Sequence, residues 1–485
     1  MTAIELPKVA VAEHLARKIC ALDAARLPDA VRTKCRDLLV DVVGLAVTAR
    51  HEDYVKSTLQ ACDDDGPCTA IGHARTLSAA AAALVNGTAI HGEDFDDTFE
   101  GGPIHAGAVI VPAVLAACER HGLDGRAALL GIAVGVETMC RLSLVAPTLT
   151  HKAGFHPTAV FGAMGAAAGV GAALKLTPAQ LVDALGTAAS MASGIIEYLA
   201  EGAWTKRLHA GWAAQSGLRA ALLGRSGFVG PRTVFEGVHG FFHGFAHTTE
   251  VDYDALIGDF GTRWVMETLA FKAYPCGTMT HPYIDCARRL ANHIILEGEV
   301  ELTIKDEDGT LRREWRPEPR LITANDIVDI VCEVGEGTVH RLWEPLAAKQ
   351  NPANGYAGKF STPYCIAAGF VRGNVGLSDF SDAAVRDPVV LALAAKIRYE
   401  IDPKNPYPKN FTGHIRATLR QGYGAEERQP YMRGGVQAPL TRADVEEKFM
   451  LNAAHGGWSE DRAGAMLRQL GTMFDGLIDL APLRG

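Results

Sequence analysis

Alanine decides what the first half of this chain can fold into. The segments VAEHLARKICAL, DAVRTKCRDLLVDVVGLAVTA, TLSAAAAALVNGTAIH, AVLAACERHG, AALLGIAVGVETMCRLSL and PAQLVDALGTAASMASGII carry apolar residues at three- and four-residue spacing, the mark of helices with a buried face. Because alanine dominates those faces, such helices approach closely and pack in several layers. Ser78 and the Thr177-Pro178 pair open helices, and His121-Gly122 and Gly224 close them. Pro112 starts its helix or kinks it. GAMGAAAGVGAAL is a run of small residues for close helix packing; no strand precedes it and its spacing is not GxGxxG.

After about Phe271 the pattern changes. VELTIKD and TLRREW flank the turn Asp306-Glu307-Asp308-Gly309 and read as a hairpin. DIVDIVCEV, KIRYEID and HIRATLRQG alternate like strands, whereas FSTPYCIAAGFVRGNV and DAAVRDPVVLALAAKI read as helices. LTRADVEEKFMLNAA and DRAGAMLRQLGTMFDGL return to amphipathic helix, with Thr441 as N-cap. The expected fold is mainly α: a large all-helical domain made from both chain ends, residues 1–268 and 405–485, with a smaller α+β domain at 269–404 inserted between them.

Charge narrows the partners. The formal net charge is −9, and the densest basic group, Arg312, Arg313 and Arg316, is interleaved with Glu314 and Glu318. Neither nucleic acid nor an anionic membrane surface is held by such a distribution. The longest uncharged stretch, Pro157–Leu174, is alanine and glycine, which gain little in lipid, so it reads as a buried helix rather than a span. The start, MTAIELPKVAVAEHLARKI, lacks the parts of a signal peptide. Ten single cysteines without a CxxC pair read as free thiols, and the expected compartment is the cytoplasm.

Four polar stretches interrupt this apolar design. The first, HGEDFDDTFEGGPIHAG, spans residues 91–107. If the preceding helix runs on through it, His91, Asp94 and Thr98 share one face and Asp96 points away. Gly101-Gly102-Pro103 must then end the helix and bend the chain back to His105. The N–H groups of the helix after His105 would attract an anion. Asp96, Asp97 and Glu100 read as surface acids, caps or a surface bend. No HxxxH or HExxH spacing occurs here, so no metal is expected. The second stretch, HKAGFHPTAVFGAMGAA, sets His156 before the helix-opening Pro157, with His151 and Lys152 nearby. In the third, EGAWTKRLHAGWAAQSG, Lys206 and His209 lie three apart between Trp204 and Trp212; a solvent-facing helix surface is the competing reading. The fourth, FKAYPCGTMTHPYIDCA, carries Lys272, Cys276 and His281 around a turn at the domain boundary. Together they suit proton transfer on a small polyanion.

NGTAIHGEDFDDT with His105 downstream, GFHP, TKRLH-GWAA, FKAYPCG---H, KFSTPYCIAAGF and PLT--DVEEKF resemble the MmgE/PrpD family, from about residue 10 to 455. That family includes 2-methylcitrate dehydratases, cis-aconitate decarboxylases and an iminodisuccinate epimerase. The resemblance implies that the inserted domain is a lid, that the active site lies between the domains of a homodimer, and that no metal or organic cofactor is used. Carried over position by position, it implies active-site roles for Asp94, Thr98, His105, His156, Lys206 and Lys272. Lys206 and Lys272 would bind substrate carboxylates, His105 and His156 would act as acid and base, Asp94 would orient one of them, and Thr98 would donate a hydrogen bond. His209, Cys276 and His281 are counted among the substrate-binding positions.

Two departures bear on the reaction. Gly277 stands where the decarboxylases carry histidine, and Asp96 stands where the dehydratases tend to carry asparagine. The expected activity is a lyase on a small di- or tricarboxylate, by loss of water ahead of loss of carbon dioxide. An epimerase acting next to a carboxylate and a non-catalytic carboxylate-binding relative are the alternatives.

Overall fold

The computed structural model describes residues 8–420 and 422–485; the first seven residues, where the leader reading begins, lie outside it. The described residues are 53% helix and 14% strand with several sheets, so the mainly α expectation is corrected to a mixed fold. It forms two compact units: one contains the chain up to Lys272 with Gly434–Gly485, the other Ala273–Arg433.

In the first unit, helices Asp29–Ala49, Ala79–His91, Gly107–His121, Gly125–Val145, Pro157–Ala173, Pro178–Met191 and Thr205–Arg225 are joined by Arg442–His455. Their ends follow local chemistry. Ser78 Oγ accepts from the Ala81 N–H, Thr177 and Thr441 form capping boxes, and Gly122 stops its helix at φ +63°. Pro112 lies inside its helix rather than at the start.

Small residues set the helix spacing. A Cβ on Gly87 would stand 2.7 Å from Gly211 Cα, and one on Gly169 would stand 2.6 Å from the Gly131 carbonyl oxygen. Every residue of Pro157–Ala173 is buried. Gly125–Val145 is long and apolar enough to cross a membrane, but 89% of its apolar window is buried inside the protein.

The unit is not all-helical. Strands β1 (Asp65–Thr69) and β2 (Thr76–Leu77) pair, and β3 (Thr98–Phe99) pairs with β4 (Leu269–Ala270), both antiparallel. Strands of two residues carry no alternation for a sequence pattern to show.

The second unit has a long antiparallel hairpin, β5 (Ile294–Lys305) and β6 (Leu311–Leu321), around the expected turn. Its four-stranded sheet runs in the order β10-β9-β7-β8, with β7 at Ile327–Val334, β8 at Ile397–Ile401, β9 at Gly413–Leu419 and β10 at Gly424–Gln429. Strand β8 lies parallel to β7, and the other pairs are antiparallel. Ile330, Cys332, Ile397 and Ile415 join residues of helices His281–Leu290 and Thr362–Arg372 in one apolar core. All ten cysteines are free, nine of them buried.

Candidate active site

The polar stretch does not continue the helix before it. Ala79–His91 ends at His91, and Gly92 packs so closely under Tyr54 that a Cβ would stand 2.1 Å from its hydroxyl. Asp94 then takes φ +56°, a left-handed conformation that aspartate tolerates better than most residues. The shared helical face is therefore replaced by a turn. Pairing of Thr98 with Ala270 and Phe99 with Leu269 then brings Lys272 to the turn, where its Nζ donates to the Asp94 carbonyl oxygen at 2.7 Å. From the helix Thr205–Arg225, Lys206 forms a buried ion pair with the Asp94 carboxylate. Thr98 is itself buried.

Asp96 and Asp97 are wholly buried, which corrects their reading as surface acids. The Asp97 carboxylate accepts from the N–H groups of Ala106 and Gly107 at 2.9 Å each. The N–H groups expected to attract an anion at that helix start are thus taken up by an acceptor of the chain itself. Gly101-Gly102-Pro103 does bend the chain back: the Ile104 N–H donates to Gly102 and the Phe99 N–H to Ile104. His105 returns with its Nδ1 2.6 Å from the Asp97 carbonyl oxygen. Since a carbonyl can only accept, that nitrogen carries the proton and Nε2 keeps a lone pair. Glu100 is exposed and accepts from the Val436 N–H at 3.0 Å.

Three more histidines surround His105. His91 Nδ1 lies 2.7 Å from Asp96 Oδ2, and the other Asp96 oxygen is 3.6 Å from His105 Nδ1. The His91 ring stacks on His156 at 5.6 Å and lies 5.0 Å from His105. His156, the N-cap of Pro157–Ala173, donates its N–H to the Gly194 carbonyl at 2.8 Å and places Nδ1 3.2 Å from His209 Nδ1. Tyr198 meets both rings edge-on, at 5.8 and 5.7 Å. His209 and Lys206 are buried, whereas Trp204 and Trp212 are 50% and 44% exposed. The helix thus turns its polar residues inward and two tryptophans outward.

Burial sets the charge states. It pushes His105 down to about 3, with Asp96 opposing and Lys272, His91 and Lys206 assisting. Burial, His91 and Lys206 take His209 down to about 4. His156 lies well below its ordinary value through burial and the neighbouring His91, Lys206, His209 and His105. These three imidazoles are neutral near pH 7. Burial works against the Asp96 charge, but His91 and His105 outweigh it and hold the carboxyl well below the usual range. Burial also works against the Lys206 ammonium, and Asp94, Tyr198 and Asp96 outweigh it. Burial, Asp96 and Asp41 push the Asp97 carboxyl up, with the two backbone N–H groups pulling the other way.

His91, Asp96 and His105 offer donor atoms within 4.8 Å of one another, a spacing that a metal ion could bridge. Their facing nitrogens are spent on Asp96 and on the Asp97 carbonyl, so the set is arranged for hydrogen bonding. His91, Asp96, Tyr198 and Lys448 were absent from the sequence-derived site. Lys448 donates to the Phe95 carbonyl at 2.7 Å, pairs with Asp41 at 2.7 Å and lies 3.9 Å from the Phe95 ring centre. Its DVEEKF segment was the one available signal. Cys276 and His281 belong to the second unit and are buried there. Cys276 Sγ lies 3.0 Å from Thr280 Oγ1, and His281 Nε2 lies 3.4 Å from the Cys276 carbonyl; burial pushes the thiol up, but Cys365, His281 and Thr280 outweigh it and hold it well below its ordinary value.

Residues 13–254 match the MmgE/PrpD N-terminal domain, and residues 274–470 match the MmgE/PrpD C-terminal domain. A cis-aconitate decarboxylase-like protein, oryM, of Aspergillus oryzae is 26% identical over 91% of this chain and 90% of its own length. The cis-aconitate decarboxylase of Mus musculus is 28% identical over 92% of this chain and 87% of its own. A 2-methylcitrate dehydratase-like protein, oryR, of Aspergillus oryzae is 27% identical over 42% of this chain and 38% of its own. With both domains matched across most of its length, the chain belongs to the MmgE/PrpD family.

Proposed function

We propose that the chain is a lyase that removes a proton next to a carboxylate of a small di- or tricarboxylate, using its own side chains, with water as the leaving group. The observation that carries this reading is the fixed tautomer of His105, a neutral imidazole with Nδ1 committed to the Asp97 carbonyl beside two buried lysines. His105 Nε2 takes the proton. Lys206 and Lys272 hold the substrate carboxylate and stabilise the negative charge that develops as the C–H bond breaks. Asp94 positions both lysines through its carboxylate and its carbonyl. Thr98 donates a hydrogen bond to substrate, and His156 delivers a proton to the departing hydroxyl. Cys276 and His281 are given no role, because both belong to the second unit, whereas the groups gathered around His105 belong to the first.

Loss of carbon dioxide is the second reading, favoured by cis-aconitate decarboxylases that align over about nine-tenths of this chain. There the C–C bond to the carboxylate breaks, carbon dioxide leaves, and the electron pair left on the substrate takes a proton from His156. Incubation with citrate-, aconitate- and aminodicarboxylate-type acids in heavy water, followed by NMR, separates these outcomes. An unsaturated product without gas release supports dehydration, and released carbon dioxide supports the second reading. Deuterium in recovered acid without elimination would replace both with epimerisation.

A further inference from the structure

Two neutral imidazoles whose Nδ1 atoms stand 3.2 Å apart hold one proton between them, because one nitrogen must donate and the other accept. The two neutral arrangements differ at the far nitrogens. When His156 Nδ1 donates, His156 Nε2 keeps a lone pair. When His209 Nδ1 donates, His156 Nε2 carries the proton. We propose that His209 is the positioning residue that makes His156 an acid, relaying a solvent proton to it through the shared Nδ1 contact. The proposal rests on the reading of His156 as the proton donor to the leaving group.

The step balances without a charged imidazole at either end. As the His156 Nε2–H bond breaks and its proton joins the departing hydroxyl to make water, the His209 Nδ1–H bond breaks and a proton passes to His156 Nδ1. His209 Nε2 takes a proton from water in exchange, leaving both rings neutral with their tautomers reversed; the hydroxide so formed is neutralised by the proton that His105 took from carbon, once released to solvent. An isolated neutral histidine would have to become an imidazolate to give up that proton, and an imidazolium is disfavoured here by burial and by like charge. The groups facing the pair are His91, His105, Lys206 and Tyr198; of these, Lys206 carries a full positive charge next to Asp94.

The surroundings hold the contact. Gly194, at φ +128°, fixes the His156 backbone through its carbonyl, and a Cβ there would stand 3.3 Å from His209 Nδ1 and 2.6 Å from Ala159 Cβ. Tyr198 closes the edges of both rings. A ring seated only for packing would not need its Nδ1 aimed at another Nδ1.

Nitrogen-15 spectra of the histidine-labelled full chain test the shared proton without any substrate. With the pair assigned by loss of signals in His209→Asn, one ring should be protonated on Nδ1 and the other on Nε2; two rings both protonated on Nε2 overturn the proposal. Asn keeps a polar atom near the Nδ1 position but cannot pass a proton on. His209→Asn should therefore lower kcat by about 10²-fold, the lower end for a positioned acid–base group, with KM little changed. Added imidazole should restore turnover to His209→Ala and not to His209→Asn. Wild-type kcat in His209→Asn, or no rescue of a folded His209→Ala, sinks the relay. If the wild-type chain turns over none of the acids, the activity reading fails while the spectra still decide the shared proton.

Discussion

Asp94 holds one lysine with its carboxylate and another with its peptide carbonyl, an arrangement that depends on its left-handed backbone. Removing only the carboxylate isolates the first task. Asp94→Asn, which tolerates the left-handed backbone as aspartate does, leaves the Lys206 ammonium buried without the charge that offsets its desolvation, and should destabilise the fold by about 3 kcal/mol, read by urea unfolding. His105→Gln keeps a polar side chain at the bend but no base. It should lower kcat by about 10²–10⁴-fold with the far-ultraviolet circular dichroism unchanged; full turnover would move the base elsewhere. At this scale, type and spacing drew attention to four polar stretches, and only the family resemblance picked Asp94, His105, His156, Lys206 and Lys272 out of them. Asp96 and Asp97 stayed hidden. An acid between helices is usually solvated, and nothing local shows that two imidazoles or two backbone N–H groups will enclose it.

Among the elements, glycines fix where helices touch. A Cβ on Gly211 would stand 2.1 Å from the Leu84 carbonyl oxygen and 2.9 Å from the Thr88 nitrogen, both backbone atoms that cannot swing away. Gly211→Ala should therefore destabilise by about 1–3 kcal/mol. It should also depress kcat, since Lys206 and His209 ride on the same helix. Gly244, with nothing within 4 Å of its added Cβ, is the control: Gly244→Ala should be neutral or stabilise by up to about 1 kcal/mol in the same urea experiment. Helix starts at Ser78, Thr177 and Thr441 were legible because each cap is a local hydrogen bond. Strands β3 and β4 were not, since a ladder of two residues is stabilised by partners 172 positions apart (Thr98 and Ala270). Strand β10, GAEERQ, alternates exposed with half-buried residues and has no apolar face to read.

Across the whole molecule, the buried histidines tie stability to pH. Between the ordinary value of 6.5 and about 3, the unfolded chain binds a proton that folded His105 refuses; His209 behaves alike down to about 4, and His156 in the same direction. Their contribution is fully present above pH 6.5 and is lost as pH falls, by at most about 1.4 kcal/mol per unit for each group. Tm should therefore fall steeply from pH 7 to pH 5, and less steeply in a folded His209→Asn. Because His105 stays neutral through this window, the acid limb of the pH–rate profile should coincide with loss of circular dichroism. A limb near pH 6.5 in a fully folded protein would contradict the burial of the base. Apolar helical runs did foretell the crowded first unit, but not its two small sheets, which is why a mainly α label failed. Asp97 joins these scales. Its carboxylate caps the helix at Gly107 while its carbonyl selects which nitrogen of His105 bears the proton. In an unfolded chain that imidazole exchanges between its two neutral tautomers, and its proton is fixed on Nδ1 only when this corner closes. The tautomer that the proposed proton transfer needs is therefore set by folding itself, and an insertion between residues 97 and 105 would yield protein that is folded elsewhere yet without a fixed tautomer at His105.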